Sequence, residues 1–184
     1  MQTVSDDDRR RLAAEAREII AANKYLTMST ADSTGRPWVT PVYFTLDGGG
    51  RFLWVSSPKA RHSSNLAVRP EVAVVVFDST VPIGGGRAVY CSAVAELVPE
   101  GEIDAVTAVF VARFDELAGI TADALRPPGE LRLYRAEITE SSVLLRGADP
   151  RNSDGIDTRV AVDLDPDTTG GLGRAIQSGP PTDC

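Results

Sequence analysis

The sequence predicts a mainly β domain, a mostly antiparallel barrel with flanking helices. Three observations support this class. Short segments with alternating or continuous apolar residues recur along the chain, glycine- and proline-rich turns separate them, and only three segments show helical spacing. The order is helix, strands, helix, strands, helix, strand. Strands and helices alternate too rarely for a doubly wound parallel fold.

The composition of the 184 residues is that of a soluble globular domain. Hydrophobic residues make up 42% and charged residues 24%, and no apolar run approaches the roughly 20 residues that span a bilayer. The start, MQTVSDDDRRR, is too acidic and polar for a secretory signal. We therefore expect a cytoplasmic protein with no membrane partner. The formal net charge of -7 would repel a polyanion, so we expect no nucleic-acid partner.

The first third of the chain predicts one helix and three strands. Ser5 is a candidate N-cap for an amphipathic helix over 5–23, because the apolar residues that follow share one helical face. The predicted strands are 25–30, 38–46 and 51–57, and the last two would form a hairpin through the turn DGGG. Pro41 cannot donate to a strand ladder. It therefore predicts an edge position or a bulge.

The next part of the chain predicts two helices and three strands. Ser57 followed by Pro58 resembles a helix start, so a helix is predicted over 58–68. The segment 71–78 has the valine density of a strand buried on both faces. A strand over 87–98, a helix over 102–117 with Gly119 as its C-cap, and a strand over 130–145 follow. Residues 1–146 would form the domain.

Residues 147–184 are predicted to be a loosely ordered acidic tail. They are rich in Gly, Asp, Pro and Thr and contain few large apolar groups. The segment 156–165 alternates and is a candidate short strand. The two cysteines, Cys91 and Cys184, lack the paired spacing of a zinc site or a disulfide framework. We expect two free thiols and no metal site.

A basic stretch in this acidic chain is the main candidate site. No acidic residue occurs from Gly48 to Pro70, and Lys59, Arg61 and the single histidine, His62, fall near the start of the predicted helix. A helix N-terminus offers unpaired N–H groups and a partial positive charge, and nearby serines, among them Ser56, Ser57, Ser63 and Ser64, add hydroxyl donors. This donor set suits a dianionic phosphate. The alternative is a solvated basic helix face, the commoner use of a run of charges.

Other chemistries have less support in the sequence. A serine hydrolase would have to use His62, and no nucleophile elbow is present. The acidic run Asp6–Asp8 suits a helix N-terminus better than a metal site. The glycine runs at 48–50 and 84–86 lack the spacing of phosphate loops and precede strands, so they indicate turns.

Four segments together resemble the pyridoxamine 5'-phosphate oxidase-like FMN-binding split β-barrel superfamily. They are YLTMST, GRPWVTPVYF, LWVSSPKARHSSNLAVRPEVAVVV and VYCSAVAEL, in that order, and the similarity covers about residues 19–145. The resemblance implies a six-stranded antiparallel split β-barrel of the FMN-binding type. It also implies a homodimer with two cofactor sites at the subunit interface.

The resemblance further implies which residues meet the cofactor. Val39, Thr40, Pro41 and Val42 would lie along the isoalloxazine ring; Trp54, Val55 and Ser56 would meet the ring and ribityl chain; Lys59, Arg61, His62 and Ser63 would bind the phosphate; Arg87 would reach the cofactor from the dimer mate. A flavin carries the hydride chemistry itself, so no catalytic side chain is assigned. A small organic substrate would stack on the exposed ring face.

The sequence departs from the oxidase that gives the superfamily its name. No R-L-H-D-R type segment follows Leu145, and His62 stands where a lysine or arginine is common. Oxidation of vitamin B6 is therefore not expected. Three hypotheses about function stay open: an FMN-dependent oxidoreductase, a reductase that uses the deazaflavin coenzyme F-420, and a non-catalytic split barrel that binds a flavin or haem.

Overall fold

One curled antiparallel sheet of eight strands organises the chain. The structure is a computed structural model and describes residues 4–164. The helices are α1 (Asp6–Ala22), α2 (Arg61–Leu66) and α3 (Ile103–Val111), and the strands are β1 (Tyr25–Ala31), β2 (Pro37–Tyr43), β3 (Thr45–Leu46), β4 (Arg51–Ser56), β5 (Glu71–Phe77), β6 (Ala88–Leu97), β7 (Arg132–Leu145) and β8 (Thr158–Ala161). The strand order is β2-β1-β5-β6-β7-β4-β3, and β8 pairs with β7.

The mainly β, antiparallel class is confirmed, but the expectation of six strands is wrong. The predicted strand 38–46 is interrupted at Phe44, which separates β2 from β3. The predicted hairpin with β4 is limited to Thr45 and Leu46, because the rest of the segment, β2, pairs with β1 instead. The reason is the short turn between β1 and β2. There the Asp32 carboxylate accepts hydrogen bonds from the backbone of Thr34 and Arg36, both at 3.0 Å.

Pro41 lies on an edge strand. β2 ends the strand order, and its pairing with β1 runs without a register shift from Tyr43 to Pro37. Of the two expectations for this proline, the edge position is therefore confirmed, and no bulge is present in this pair.

The main core lies between the inner face of the sheet and α1. Ser5 caps α1 as predicted, since its Oγ accepts from the backbone N–H of Asp8 at 3.1 Å. The buried α1 residues Leu12, Ala16, Ile19 and Ile20 pack in one cluster with the inward side chains of β1, β5, β6 and β7. In β5 burial alternates, with Val72, Val74 and Val76 buried. The expectation that β5 is buried on both faces is therefore wrong within this chain.

A second core lies on the other side of β4. Leu53 and Val55 pack there with Phe110 and Leu125, whereas Phe52 and Trp54 belong to the main core. The predicted helix 102–117 is shorter than expected: α3 ends at Val111, and Asp115–Leu117 form a separate 3₁₀ turn. Ala112 is the C-cap of α3, so Gly119 does not cap it.

Arg113, just after α3, ties three parts of the fold together. Its guanidinium donates to the backbone oxygens of Phe44 at 2.7 Å, Ile20 at 2.8 Å and Asn23 at 2.9 Å. It also lies over the Phe44 ring, 4.5 Å from the centroid. The end of α1 leaves carbonyls without helical partners, and Arg113 satisfies them. This requirement explains why the helical pattern of α3 stops where it does.

The described part of the C-terminal segment is attached to the body of the domain. β8 pairs with β7 within the candidate segment 156–165. The Arg151 side chain pairs with Glu15 at 2.8 Å, and the Asn152 amide donates to three backbone oxygens. Residues 165–184, the rest of the predicted tail, lie outside the described residues. Among residues 4–164 no helix has the length and apolar character needed to cross a membrane.

We predict that Arg113→Met lowers the free energy of unfolding by about 2–3 kcal/mol, because hydrogen bonds from a charged donor are lost and partly buried carbonyls are left unpaired. Urea denaturation measures this change. Arg10→Met is the control: Arg10 is exposed, and within residues 4–164 its ion pair is with Asp7 at 3.6 Å, so its loss should change stability by no more than about 0.5 kcal/mol. Equal effects of the two substitutions would contradict the role given to Arg113.

Candidate functional site

The candidate site forms around α2, which packs against β1 and β2. The buried Asn65 amide donates to Thr30 Oγ1 at 3.0 Å and so joins α2 to β1. The predicted start of this helix is wrong. Ser57 does not cap α2; residues 57–60 form a turn closed by the Ala60 N–H and the Ser57 carbonyl at 3.0 Å, and the helix begins at Arg61 with no side-chain cap. A helix of six residues has only a small dipole, so the binding of an anion here would depend on side chains.

His62 is a buried, neutral member of the site. Only 6% of its surface is exposed, and its Nε2 lies 2.7 Å from Ser56 Oγ at the end of β4. Burial lowers the pKa of His62 from its ordinary value of 6.5. The idea that a protonated His62 adds charge to a phosphate site is therefore not supported. Its ring can instead hold the Ser56 hydroxyl in place.

Two cations of the site face solvent. The Arg61 guanidinium lies over the exposed indole of Trp38, 4.4 Å from the ring centroid. The Lys59 side chain makes no hydrogen bond or ion pair within residues 4–164. Both positive charges are therefore available to an anion.

Two buried hydroxyls of the site have no partner. Ser63 Oγ on α2 and Thr40 Oγ1 on β2 make no hydrogen bond within the part of the chain that the structure describes. Only 4% of Ser63 is exposed, and α2 packs against β2. A buried hydroxyl without a partner costs about 1–3 kcal/mol, and an oxygen of a bound ligand would remove this cost. These hydroxyls and the two cations are the donor types that a phosphate group requires.

Three predicted residues of β4 are placed differently from one another. Trp54 is 1% exposed and stacks on Tyr134 with the ring centroids 5.5 Å apart, and Val55 belongs to the second core. Neither side chain is accessible to a ligand, so only their backbone could meet one. Ser56 is the β4 residue that reaches the site, through His62.

The four predicted residues of β2 divide between its two faces. Thr40 and Val42 point inward, and Val42 is buried. Val39 and Pro41 are exposed on the opposite face. A ligand lying along the unpaired edge of β2 would therefore meet backbone groups and both kinds of side chain.

Arg87 does not join this group within the chain. It precedes β6, which pairs with the last residues of β5, whereas α2 lies before the first residues of β5. The seven residues of β5 separate the two places by about 20 Å. Its predicted role from a dimer mate stays a prediction.

Trp38 and Asn65 belong to the site but were not among the predicted residues. Trp38 lies on the same face of β2 as Thr40, near the exposed end of the strand, and strand alternation alone could have identified it. Asn65 shows no such signal, because its role depends on the contact between α2 and Thr30. Cys91 is buried and its pKa is raised to about 12 by burial, so it offers no reactive thiolate. The described residues contain no cluster of three or more potential metal ligands.

We predict that His62 makes stability depend on pH. Because burial lowers its pKa in the folded state, the unfolded chain binds the proton first as the pH falls. The folded state therefore loses stability below about pH 6.5, by at most about 1.4 kcal/mol per pH unit. Urea unfolding of the ligand-free protein between about pH 7.5 and 5.5 should show a steeper loss in wild type than in His62→Gln. Parallel pH profiles would contradict a neutral buried His62.

Comparisons with known proteins place this fold in a family. The family model for pyridoxamine 5'-phosphate oxidase matches residues 12–144. In sequence, 68 residues are 35% identical to haem oxygenase HutZ of Vibrio cholerae; they make up 37% of this chain and 38% of that protein, so well under half of that relative is matched. No wider similarity to HutZ follows from this match.

Solved structures show the same fold at low sequence identity. The haem-binding protein from Mycobacterium smegmatis has a TM-score of 0.61 at 20% identity, over 82% of this chain and 57% of that one. The haem storage protein HutZ of Vibrio cholerae has a TM-score of 0.59 at 24% identity, over 77% and 99%. An FAD-binding protein from Mesorhizobium loti has a TM-score of 0.56 at 20% identity, over 71% and 90%. Because the family model covers most of the chain and the sheet has the matching fold, this chain belongs to the pyridoxamine 5'-phosphate oxidase-like split-barrel family.

Proposed function

We propose that this chain binds FMN through the site around α2 and is an oxidoreductase that acts on a small organic substrate. The observation that carries the proposal is the pair of buried, unpartnered hydroxyls of Ser63 and Thr40 beside the unpaired charges of Lys59 and Arg61. A solvated basic face would not need hydroxyls that are withdrawn from water. The oxygen atoms of a bound FMN would supply acceptors for these hydroxyls.

Each residue has a role in holding the cofactor. Lys59 and Arg61 neutralise the phosphate, and the Ser63 hydroxyl donates to one of its oxygens. The neutral His62 orients the Ser56 hydroxyl toward the same group. The unpaired edge of β2 offers backbone N–H and C=O groups to the polar edge of the ring, with Pro41 supplying an acceptor but no donor. When bound, the flavin supplies the hydride chemistry.

We infer that the cofactor site is completed in a homodimer. The outer face of β1, β5 and β6 forms part of a groove of about 1190 Å³ that no described helix covers. Ala73, Val75 and Tyr90 lie in it, and Arg159 of β8 stacks on Tyr90 at 3.8 Å from the ring centroid. A second copy seated there would bury this face and could bring its own Arg87 to the cofactor.

Haem is the second candidate ligand, because haem oxygenase HutZ is a relative over 68 residues. The single histidine of the chain is poorly placed to bind iron. His62 Nε2 is already within 2.7 Å of Ser56 Oγ, and the side chain is buried. If haem binds, its axial ligand must therefore be another group. The residues of the α2 site suit a phosphate better.

We predict that the purified protein binds FMN and that Lys59→Ala with Arg61→Ala weakens this binding by about 100-fold or more, since charge-assisted hydrogen bonds contribute about 1.5–3 kcal/mol each. Titration followed by flavin absorbance and fluorescence measures the dissociation constant. Lys24→Ala is the control, because Lys24 pairs with Glu116 at 2.6 Å in another part of the molecule. Unchanged FMN affinity in the double variant would restore the solvated-face interpretation.

We predict that Ser63→Ala stabilises the ligand-free protein but weakens its binding of FMN. The ligand-free protein should become more stable by about 1 kcal/mol, because a buried unpaired hydroxyl is removed. FMN affinity should fall about 10-fold or more, because the phosphate loses a charge-assisted hydrogen bond. Riboflavin lacks the phosphate and serves as the control ligand, so its affinity should not change. A similar loss for riboflavin and FMN would show that Ser63 does not meet the phosphate.

We predict that added haem gives the same absorbance spectrum with wild type and with His62→Ala, because His62 is not an iron ligand. A Soret band that is present in wild type and lost in His62→Ala would contradict this assignment. It would make haem the favoured ligand of the α2 site.

A further inference from the structure

A cavity of about 470 Å³ lies away from the site around α2. It is enclosed by the C-terminal part of α1, by β3 with the turn that follows it, and by the end of α3, and we call it the α1–α3 cavity. No residue of α2 or β2 lines it, and it shares only Gly50 and Leu164 with the groove on the outer face of the sheet. Its volume is within the range of sites that bind small molecules.

Most of the wall of the α1–α3 cavity is apolar. The buried face of α3 consists of Ile103, Thr107 and Phe110, whereas Val109 is 44% exposed and lines the cavity instead. The packing of the second core therefore does not account for Val109. The apolar residues of the wall are Ile20, Ala21, Leu46, Val109, Ala112 and Leu164. They form a surface for the apolar part of a ligand.

Two guanidinium groups reach the α1–α3 cavity, and neither forms an ion pair within residues 4–164. Arg113 donates from Nη1 and Nη2 to backbone carbonyls, and its Nε makes no hydrogen bond to a described residue. Burial lowers the pKa of Arg113, as expected for a cation that is partly withdrawn from water without a counter-ion. Arg17 makes one long hydrogen bond, to the Asp163 carbonyl at 3.5 Å.

The other polar side chains of the described lining are already engaged. Asp47, its one carboxylate apart from Asp163-free α1 and α3, pairs with Arg51 at 2.7 Å and accepts from the backbone N–H groups of Gly49 and Arg51. The Thr45 hydroxyl donates to the Phe110 carbonyl at 2.9 Å. The donors that remain at the cavity are therefore guanidinium N–H groups.

These groups define the chemistry of the ligand. A partly buried cation without a counter-ion is stabilised by an anion, and a guanidinium matches the planar geometry of a carboxylate. The apolar wall disfavours a ligand with many hydroxyls, because each would be withdrawn from water without a partner. A ligand with one carboxylate and an apolar body fits both conditions.

We propose that the α1–α3 cavity is a second ligand site, which binds a small amphipathic carboxylate. The apolar body of the ligand lies against Leu46 and Val109, and its carboxylate accepts from Arg17 and from the Nε of Arg113. This inference does not depend on the proposed function, because the residues that would hold FMN lie elsewhere.

The test uses octanoate as the probe and 1-octanol as its neutral counterpart, with the full chain and no flavin. Isothermal titration calorimetry measures both dissociation constants. Wild type should bind octanoate about 10-fold or more tightly than octanol, because octanoate alone can accept charge-assisted hydrogen bonds. Arg17→Gln should lower octanoate affinity about 10-fold and change octanol affinity less than about twofold. Urea denaturation checks that the variant is folded.

Three further variants locate the probe. Arg10→Gln is the matched control, since Arg10 is exposed on the same helix and does not line the cavity, and it should leave both affinities unchanged. Ala112→Trp places a large side chain in the cavity from an exposed position at the end of α3 and should abolish the binding of both probes. Lys59→Ala with Arg61→Ala removes the cations near α2 and should leave octanoate affinity unchanged.

Equal affinity of wild type for octanoate and octanol would overturn this inference, because the guanidinium groups would then take no part in binding. Octanoate binding that survives Ala112→Trp, or that is lost in the Lys59 and Arg61 variant, would also overturn it, since the probe would then bind elsewhere. Binding of neither probe would overturn it as well, and is the result expected if another part of the chain or a second copy fills the cavity. The FMN titrations decide the proposed function separately.

Discussion

The candidate site depends on the break in the chain at Phe44. This residue separates β2 from β3. These two strands are consecutive in the chain but lie at opposite ends of the strand order. Its ring is fully buried against Phe52, with the centroids 5.5 Å apart, and its carbonyl accepts from Arg113. The break is therefore held by the apolar packing of the Phe44 ring and by the partly buried guanidinium of Arg113. Because of this break, β2 pairs with β1 rather than with β4, and α2 packs against β1 and β2.

Within residues 4–164, four buried side-chain polar atoms have no hydrogen-bond partner: Ser63 Oγ, Thr40 Oγ1, Trp54 Nε1 and Thr107 Oγ1. The buried amide of Asn152, by contrast, donates to three backbone carbonyls. Thr45 likewise donates to the Phe110 carbonyl at 2.9 Å. Trp54 lies in the main core and Thr107 on α3, whereas Ser63 and Thr40 lie on α2 and on the β2 strand that α2 contacts, near the solvent-facing charges of Lys59 and Arg61. Since most buried polar groups in proteins are paired, two unpaired hydroxyls in a region with two free cations are the physical reason for placing a ligand at α2.

Local patterns in the sequence predict the elements of the fold well, but not how they meet. The cap at Ser5, the edge position of Pro41 and the alternation of β6 depend on neighbouring residues, and each could be read from the chain. The burial of β5 could not, because valine density does not tell one covered face from two. The end of α3 was missed for a similar reason: Arg113 binds carbonyls about 70 and 90 residues earlier in the chain.

For the candidate site, likewise, the sequence predicts which residues take part but not the contacts between them. The segment from Gly48 to Pro70 has no acidic residue, and this pattern indicated Lys59 and Arg61 as candidate site residues. The same segment contains Arg69, whose contact with the Ser33 carbonyl could be found only from the structure. His62 shows the limit most clearly. Its sequence neighbours suggest a charged ring, whereas its burial against Ser56 makes it neutral. Position along the chain indicates which residues can approach a ligand, and only packing decides their charge.

The proline in the middle of β2 has a consequence for association between molecules. An edge strand of seven residues offers a ladder onto which a strand of another chain could add. Pro41 removes a backbone donor at the centre of that ladder, so a foreign strand cannot pair along its full length. The edge thus stays open to a small molecule while it resists the strand-by-strand growth that leads to fibrils.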